Sequence, residues 1–151
     1  MKKDQARTEY HHGDLRRALL DTGVTLLEQA RDDELGLREL ARAVGVSATA
    51  VYRHFPDKRA MFAALAETGF EMLADEQEAA ARRHRDRRRA FLASGRAYVR
   101  FALAHPALFR LMGRYAMLED AAVTPRENRA ARMLREHVAA NLPASANEAR
   151  R

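Results

Sequence analysis

The chain has 151 residues, 32% of them charged, with a formal net charge of +6. At that length it can bury roughly two thirds of its unfolded surface, enough for a compact helical protein. The complete lack of cysteine rules out disulfides, thiolate metal sites and cysteine nucleophiles. Ala, Leu, Arg and Glu dominate, and no run alternates with period two, so the expected fold class is all-α.

Bulk charge does not locate a nucleic-acid surface. Residues 1–60 hold 11 Lys or Arg against 10 Asp or Glu, whereas residues 61–151 hold 16 against 11. Placement is more informative: Arg38, Arg53, Lys58 and Arg59 cluster within one short region. Asp4, Arg7 and Glu9 stand where a signal peptide would need apolar residues, and no apolar stretch approaches the length of a membrane span. The expected location is the cytoplasm, with no membrane contact.

Residues 1–9 form a polar arm, expected to be disordered, whose Lys2, Lys3 and Arg7 either reach DNA phosphates or belong to a frayed terminus. Asp14 is the expected N-cap of a first helix carrying Leu15, Ala18, Leu19, Thr22, Leu26 and Leu27 on one stripe. His11 and His12 are adjacent, so they diverge on a helix, and no Cys, HxxxH or HExxH spacing supplies further ligands; no metal site is expected.

The stretch from Leu37 to Phe55 reads as two short helices around a tight turn. Leu37, Leu40 and Val44 share one face, with small Ala41 beside them to admit a close neighbour. Gly45 ends the first helix in the left-handed conformation that glycine tolerates, and Ser47 caps the second. In that second helix Val51 and Phe55 point inward, while Ala48, Thr49, Tyr52 and Arg53 point outward. An Ala, a Gly four residues later and an apolar residue six beyond it form a helix-turn-helix signature, whose second helix would enter a major groove.

Pro56-Asp57-Lys58 starts a further helix, expected to reach about His84. A lysine in a first turn opposes the helix dipole, which is explained either by a DNA phosphate drawn to that end or by simple tolerance of an exposed charge. Phe62, Leu65, Ala66, Gly69 and Leu73 form its main stripe, broadened by Met61, Phe70 and Met72. Arg82, Arg83, Arg85, Arg87, Arg88 and Arg89 then make the densest basic run, read as a solvated connection in preference to a nucleic-acid patch because no aromatic residue interrupts it. A helix capped by Asp86 should run to His105, with Phe91, Gly95, Tyr98, Val99 and Ala102 inward and Arg96 and Arg100 outward. Pro106 restarts a helix carrying Leu108, Phe109, Leu111, Met112 and Tyr115. Thr124-Pro125-Arg126-Glu127 is a capping box for a last helix, with Ala130, Ala131, Leu134, Val138 and Leu142 on a narrow stripe that Pro143 stops. The expected organisation is a DNA-binding head over 1–58, a helical regulatory domain over 59–143 and a disordered tail over 144–151.

The run Val51-Tyr52-Arg53-His54-Phe55-Pro56-Asp57-Lys58, together with Tyr10-His11-His12-Gly13-Asp14-Leu15 and His105-Pro106-Ala107-Leu108-Phe109-Arg110-Leu111-Met112, resembles the tetracycline-repressor (TetR) family of bacterial transcription regulators. The resemblance is strong from about Tyr10 to Phe62, weaker to Tyr115, and fails beyond. It implies a homodimeric repressor that binds a palindromic operator in double-stranded DNA and is released by a small-molecule effector, with no cofactor. Carried over residue by residue, it puts Arg38, Ala48, Thr49 and Tyr52 against base edges and Ser47, Tyr52, His54 and Lys58 on phosphates, with Arg53 beside them. It also implies a ligand cavity lined by some of Phe70, Phe91, Tyr98, Phe109, Met112 and Tyr115, although such a stripe at helical spacing is ordinarily core. Relatives usually continue with two more long helices that form the dimer interface. This chain is expected either to be a truncated relative or to pair through the helix over 125–141. The alternative is a helical interaction protein that pairs with a full-length relative without binding DNA itself. An enzyme is not expected, because Ser47, Ser94 and Ser145 form no recognisable catalytic arrangement and no phosphate-cradling glycine loop occurs.

Overall fold

Six helices account for almost all of residues 12–29 and 35–117, which, with residues 129, 132 and 136, are the part of the chain that the computed structural model describes. They are α1 (His12–Gln29), α2 (Leu37–Val44), α3 (Ala48–His54), α4 (Lys58–Ala81), α5 (Arg87–Ala104) and α6 (Pro106–Met117). No strand occurs among the described residues. The all-α expectation is met. None of these helices is long and apolar enough to cross a membrane. The arm over 1–9, His11, the capping box at 124–127, the apolar stripe of the last helix and the tail over 144–151 lie outside the described residues; Arg129, Arg132 and Glu136 are helical.

The chain divides into two compact units, residues 1–61 and 62–151. In the first, α2 packs on both α1 and α3. Leu19 and Leu27 of α1, Leu35, and Leu37, Leu40 and Ala41 of α2 meet Val51, Phe55 and Met61 in a buried core. Each large side chain there contributes about 1.5–3 kcal/mol by leaving water. The Arg16 guanidinium lies 5.3 Å from the centre of the Phe55 ring, a cation–π contact that ties α1 to the end of α3. Helix α1 begins at His12, so Asp14 stands inside the first turn and is not the cap.

In the second unit the buried stripe of α4 comprises Phe62, Leu65, Ala66, Leu73 and Ala74 and ends in the polar Gln77. The helix stops at Ala81, three residues before His84. Asp86 caps α5 as expected, accepting from the Arg89 N–H at 2.8 Å. The expected inner face of α5 is rotated from the real one. Ser94, Ala97 and Phe101 are buried, whereas Gly95, Tyr98 and Val99 are exposed and Phe91 and Ala102 are half-buried. Apolar residues occur nearly all round this helix, and the side that packs is the one whose small Ser94 and Ala97 permit close approach and whose hydroxyl finds a donor. That donor is the Gln77 amide, 3.2 Å from Ser94 Oγ. From α6, Leu108, Leu111 and Met112 complete the core, and Tyr98 meets Phe109 edge-on with ring centres 5.4 Å apart.

Arg129 is fastened to α4. Its guanidinium donates to Glu71 at 3.1 Å and to Asp75, and its Nε lies 3.2 Å from Glu78 as an ion pair without a hydrogen bond. The hydrogen bond to Asp75 raises its pKa above the ordinary guanidinium value, burial opposes the rise, and the charges of Glu78, Asp75 and Glu71 add to it.

Candidate nucleic-acid interface

Local chemistry sets the angle between α2 and α3. Gly45 adopts φ +78°, a left-handed conformation that reverses the chain at no steric cost to glycine. The Val46 N–H donates to the Ala41 carbonyl at 2.9 Å and the Gly45 N–H to Arg42 at 3.2 Å, the paired bonds of a Schellman stop. Two residues on, the Ser47 hydroxyl accepts from the Ala50 N–H at 3.2 Å and opens α3. The turn therefore holds two carbonyls of α2 that would otherwise lack partners, and the Ser47 hydroxyl shares the Ala50 amide with the Ser47 carbonyl, 3.0 Å away.

Within α3 only Val51 is fully buried, and Phe55 closes the inner face just beyond the helix end. Thr49, Tyr52 and Arg53 are exposed, and Ala48 and His54 are half-buried. Tyr52 keeps 45% of its surface in water, high for an aromatic side chain in a head this small. Arg38 is exposed in the first turn of α2, Ser47 is exposed at the cap, and Lys58 is exposed at the start of α4. All eight expected contact residues are thus at least partly accessible, six of them exposed.

Over residues 35–61 the charged side chains are Arg38, Arg42, Arg53, Lys58 and Arg59 against Glu39 and Asp57. One of those two carboxylates is engaged by the backbone, since Asp57 Oδ1 accepts from the Ala60 N–H at 2.7 Å. This cap also gives Lys58 a local reason to be tolerated, because a carboxylate already offsets the helix dipole beside it.

The six residues proposed for a ligand cavity are dispersed in character. Met112 is buried against Gly69, Tyr98 is exposed and rests on Phe109, and Phe70, Phe91, Phe109 and Tyr115 are half-buried. Gln77 and Ser94, the one buried polar pair among the described residues, escaped sequence reasoning because each reads as solvent-facing on its own helix. No group of His, Cys, Asp and Glu suited to a metal ion occurs among the described residues.

A three-helix head with a Gly-turned, Ser-capped helix pair and a polar outer face defines a helix-turn-helix protein. Comparison with known proteins makes the class specific. Residues 19–65 match the family described as bacterial regulatory proteins, tetR family, and residues 91–151 match the tetracyclin repressor-like C-terminal domain. A solved structure from Rhodococcus sp. RHA1, described as a protein with unknown function, is 40% identical; the alignment covers 89% of this chain and 73% of that one, with a TM-score of 0.71. A TetR family transcription regulator from Marinobacter aquaeolei VT8 shares the fold at a TM-score of 0.64, with 23% identity over 83% of this chain and 66% of that one. The nucleoid occlusion factor SlmA of Marinobacter nauticus is 44% identical over 52 residues, 34% of this chain. That match spans only 27% of SlmA, about a quarter of the curated relative. The chain belongs to the TetR family of transcription regulators.

Proposed function

We propose that the protein is a repressor that acts in the cytoplasm as a homodimer, binding a palindromic operator through residues 1–58 and releasing it when a small molecule enters the helical domain over 59–143. The observation that carries this reading is the outer face of α3, where Thr49, Tyr52 and Arg53 are exposed on a helix anchored from behind by Val51 and Phe55. Arg38 would fork onto a guanine, while Ala48 and the Thr49 methyl would lie against a thymine methyl. Ser47, Tyr52, His54 and Lys58 would hold phosphates and set the register, with Arg53 adding charge beside them. Ala48 and Thr49 are small, so direct readout from α3 is thin and DNA shape would share in the sequence preference.

Two heads must present their α3 helices roughly 34 to 36 Å apart to read one palindrome. Pairing is assigned to residues 125–141, where the sequence leads one to expect a last helix. An effector lodged among some of Phe70, Phe91, Tyr98, Phe109, Met112 and Tyr115 would favour a head spacing that no longer fits. The deciding experiment combines light scattering with gel shift on DNA from upstream of the protein's own gene. A dimer bound to one duplex supports the reading. A chain that shifts no duplex, yet removes a longer relative from its operator, replaces it with the interaction-protein alternative.

A further inference from the structure

Helix α5 carries a second apolar line on the side facing away from its core. Leu92, Val99 and Leu103 are 50%, 55% and 77% exposed, although leucine and valine ordinarily seek the interior. At about 100° per residue they fall within an arc of about 40°, on the opposite side of the helix from Ser94, Ala97 and Phe101. Arg89 and Arg96 complete the line, which then reads Arg89, Leu92, Arg96, Val99, Leu103, alternating three and four residues apart. That is the seam of a coiled coil, about 21 Å long.

The charge on this surface has one sign. From residue 87 to residue 117 there are seven arginines and no Asp or Glu. Among the described residues, neither Arg89 nor Arg96 pairs its side chain with a carboxylate, and the same holds for Arg100 beside them. A second copy of α5 would set arginine against arginine with nothing to neutralise it, which disfavours self-pairing. The line is also narrow: three apolar side chains with an arginine among them offer a lipid surface far less than an interfacial helix does. The chain's own Arg129 is fastened elsewhere, on Glu71, Asp75 and Glu78 of α4.

We infer that the outer face of α5 docks one acidic amphipathic helix of a partner protein, with leucine-type side chains against Leu92, Val99 and Leu103 and carboxylates against Arg89 and Arg96. The assignment does not depend on DNA binding. It gives the protein a protein-binding surface apart from its reading head.

The test uses the full chain and a fluorescent three-heptad synthetic peptide, with Glu placed to face Arg89 and Arg96 and Leu facing the rest. A second peptide has Lys in place of each Glu. Binding of the Glu peptide alone is expected, and Leu103→Ser should weaken it by about tenfold with the charge unchanged. Arg96→Glu should reverse the preference between the peptides. Both substituted side chains are exposed, so circular dichroism and melting should match the parent chain. Equal binding by the parent and Leu103→Ser would reduce the effect to charge attraction and overturn the inference. So would binding to phosphatidylglycerol vesicles in place of the peptide, or self-association of the parent that Leu103→Ser abolishes.

Discussion

Met112 lies so close to Gly69 that there is no room for a side chain between them: a Cβ at residue 69 would stand 2.7 Å from the Met112 sulfur and 3.0 Å from Leu108 Cγ. Leu108 and Met112 are themselves buried, so neither can swing into solvent. This contact fixes how closely α6 approaches α4.

Gly69→Ala should therefore destabilise the protein despite improving helix propensity. The propensity gain is about 1 kcal/mol, and overpacking a tight core costs about 1–3 kcal/mol. Urea unfolding should show a net loss, and adding Met112→Ala should cost less than the two single losses combined, because the new methyl partly fills the space vacated.

The buried Gln77–Ser94 hydrogen bond predicts an asymmetry. Ser94→Ala leaves the Gln77 amide without its partner and should cost about 1–3 kcal/mol, whereas Gln77→Met combined with Ser94→Ala should be close to neutral. A thermal or chemical double-mutant cycle reads the coupling directly.

Gly45 has open space around it, so its constraint is purely the backbone. Gly45→Ala should cost about 1–2 kcal/mol through the left-handed φ, and Gly45→Asn less. Operator affinity should fall with stability in this pair, since the turn sets the angle of α3.

Arg38 and Lys58 should separate in a binding experiment. Lys58→Ala is expected to weaken binding to every duplex and to lower the slope of log affinity against log salt by about 1. Arg38→Ala should instead relax preference at one base pair, worth about 1–3 kcal/mol. Uniform loss on all sequences from Arg38→Ala would place that side chain on the phosphates.

Much of the head is legible in the sequence because its signals are local. Gly45 and Ser47 act on backbone groups within a few residues, and Leu37, Leu40, Val51 and Phe55 recur at helical spacing, so the turn and its inner face follow from short-range chemistry. Val44, expected on the same face of α2 as Leu37 and Leu40, is only half-buried. The second unit is less legible. Around α5 the apolar residues leave no single preferred face, and the choice falls to Ser94, whose hydroxyl is satisfied only by a side chain 17 positions away. Periodicity within one helix cannot show that Tyr98 rests on Phe109, or that Arg16 covers Phe55, since each contact joins two elements. The candidate DNA contacts rest largely on the family resemblance, and the spacing supplies only their outward direction.

The Arg129 clamp bears on the order of assembly. Its hydrogen bonds to Asp75 and Glu71 close loops of 54 and 58 residues onto one helix. Bringing such distant points together costs several times RT in chain entropy before any contact forms. Ion pairs with side chains still partly in water return little of that. The clamp should thus close only after α4 is already held by its buried stripe, making it one of the last links formed and one of the first released under force or at high salt.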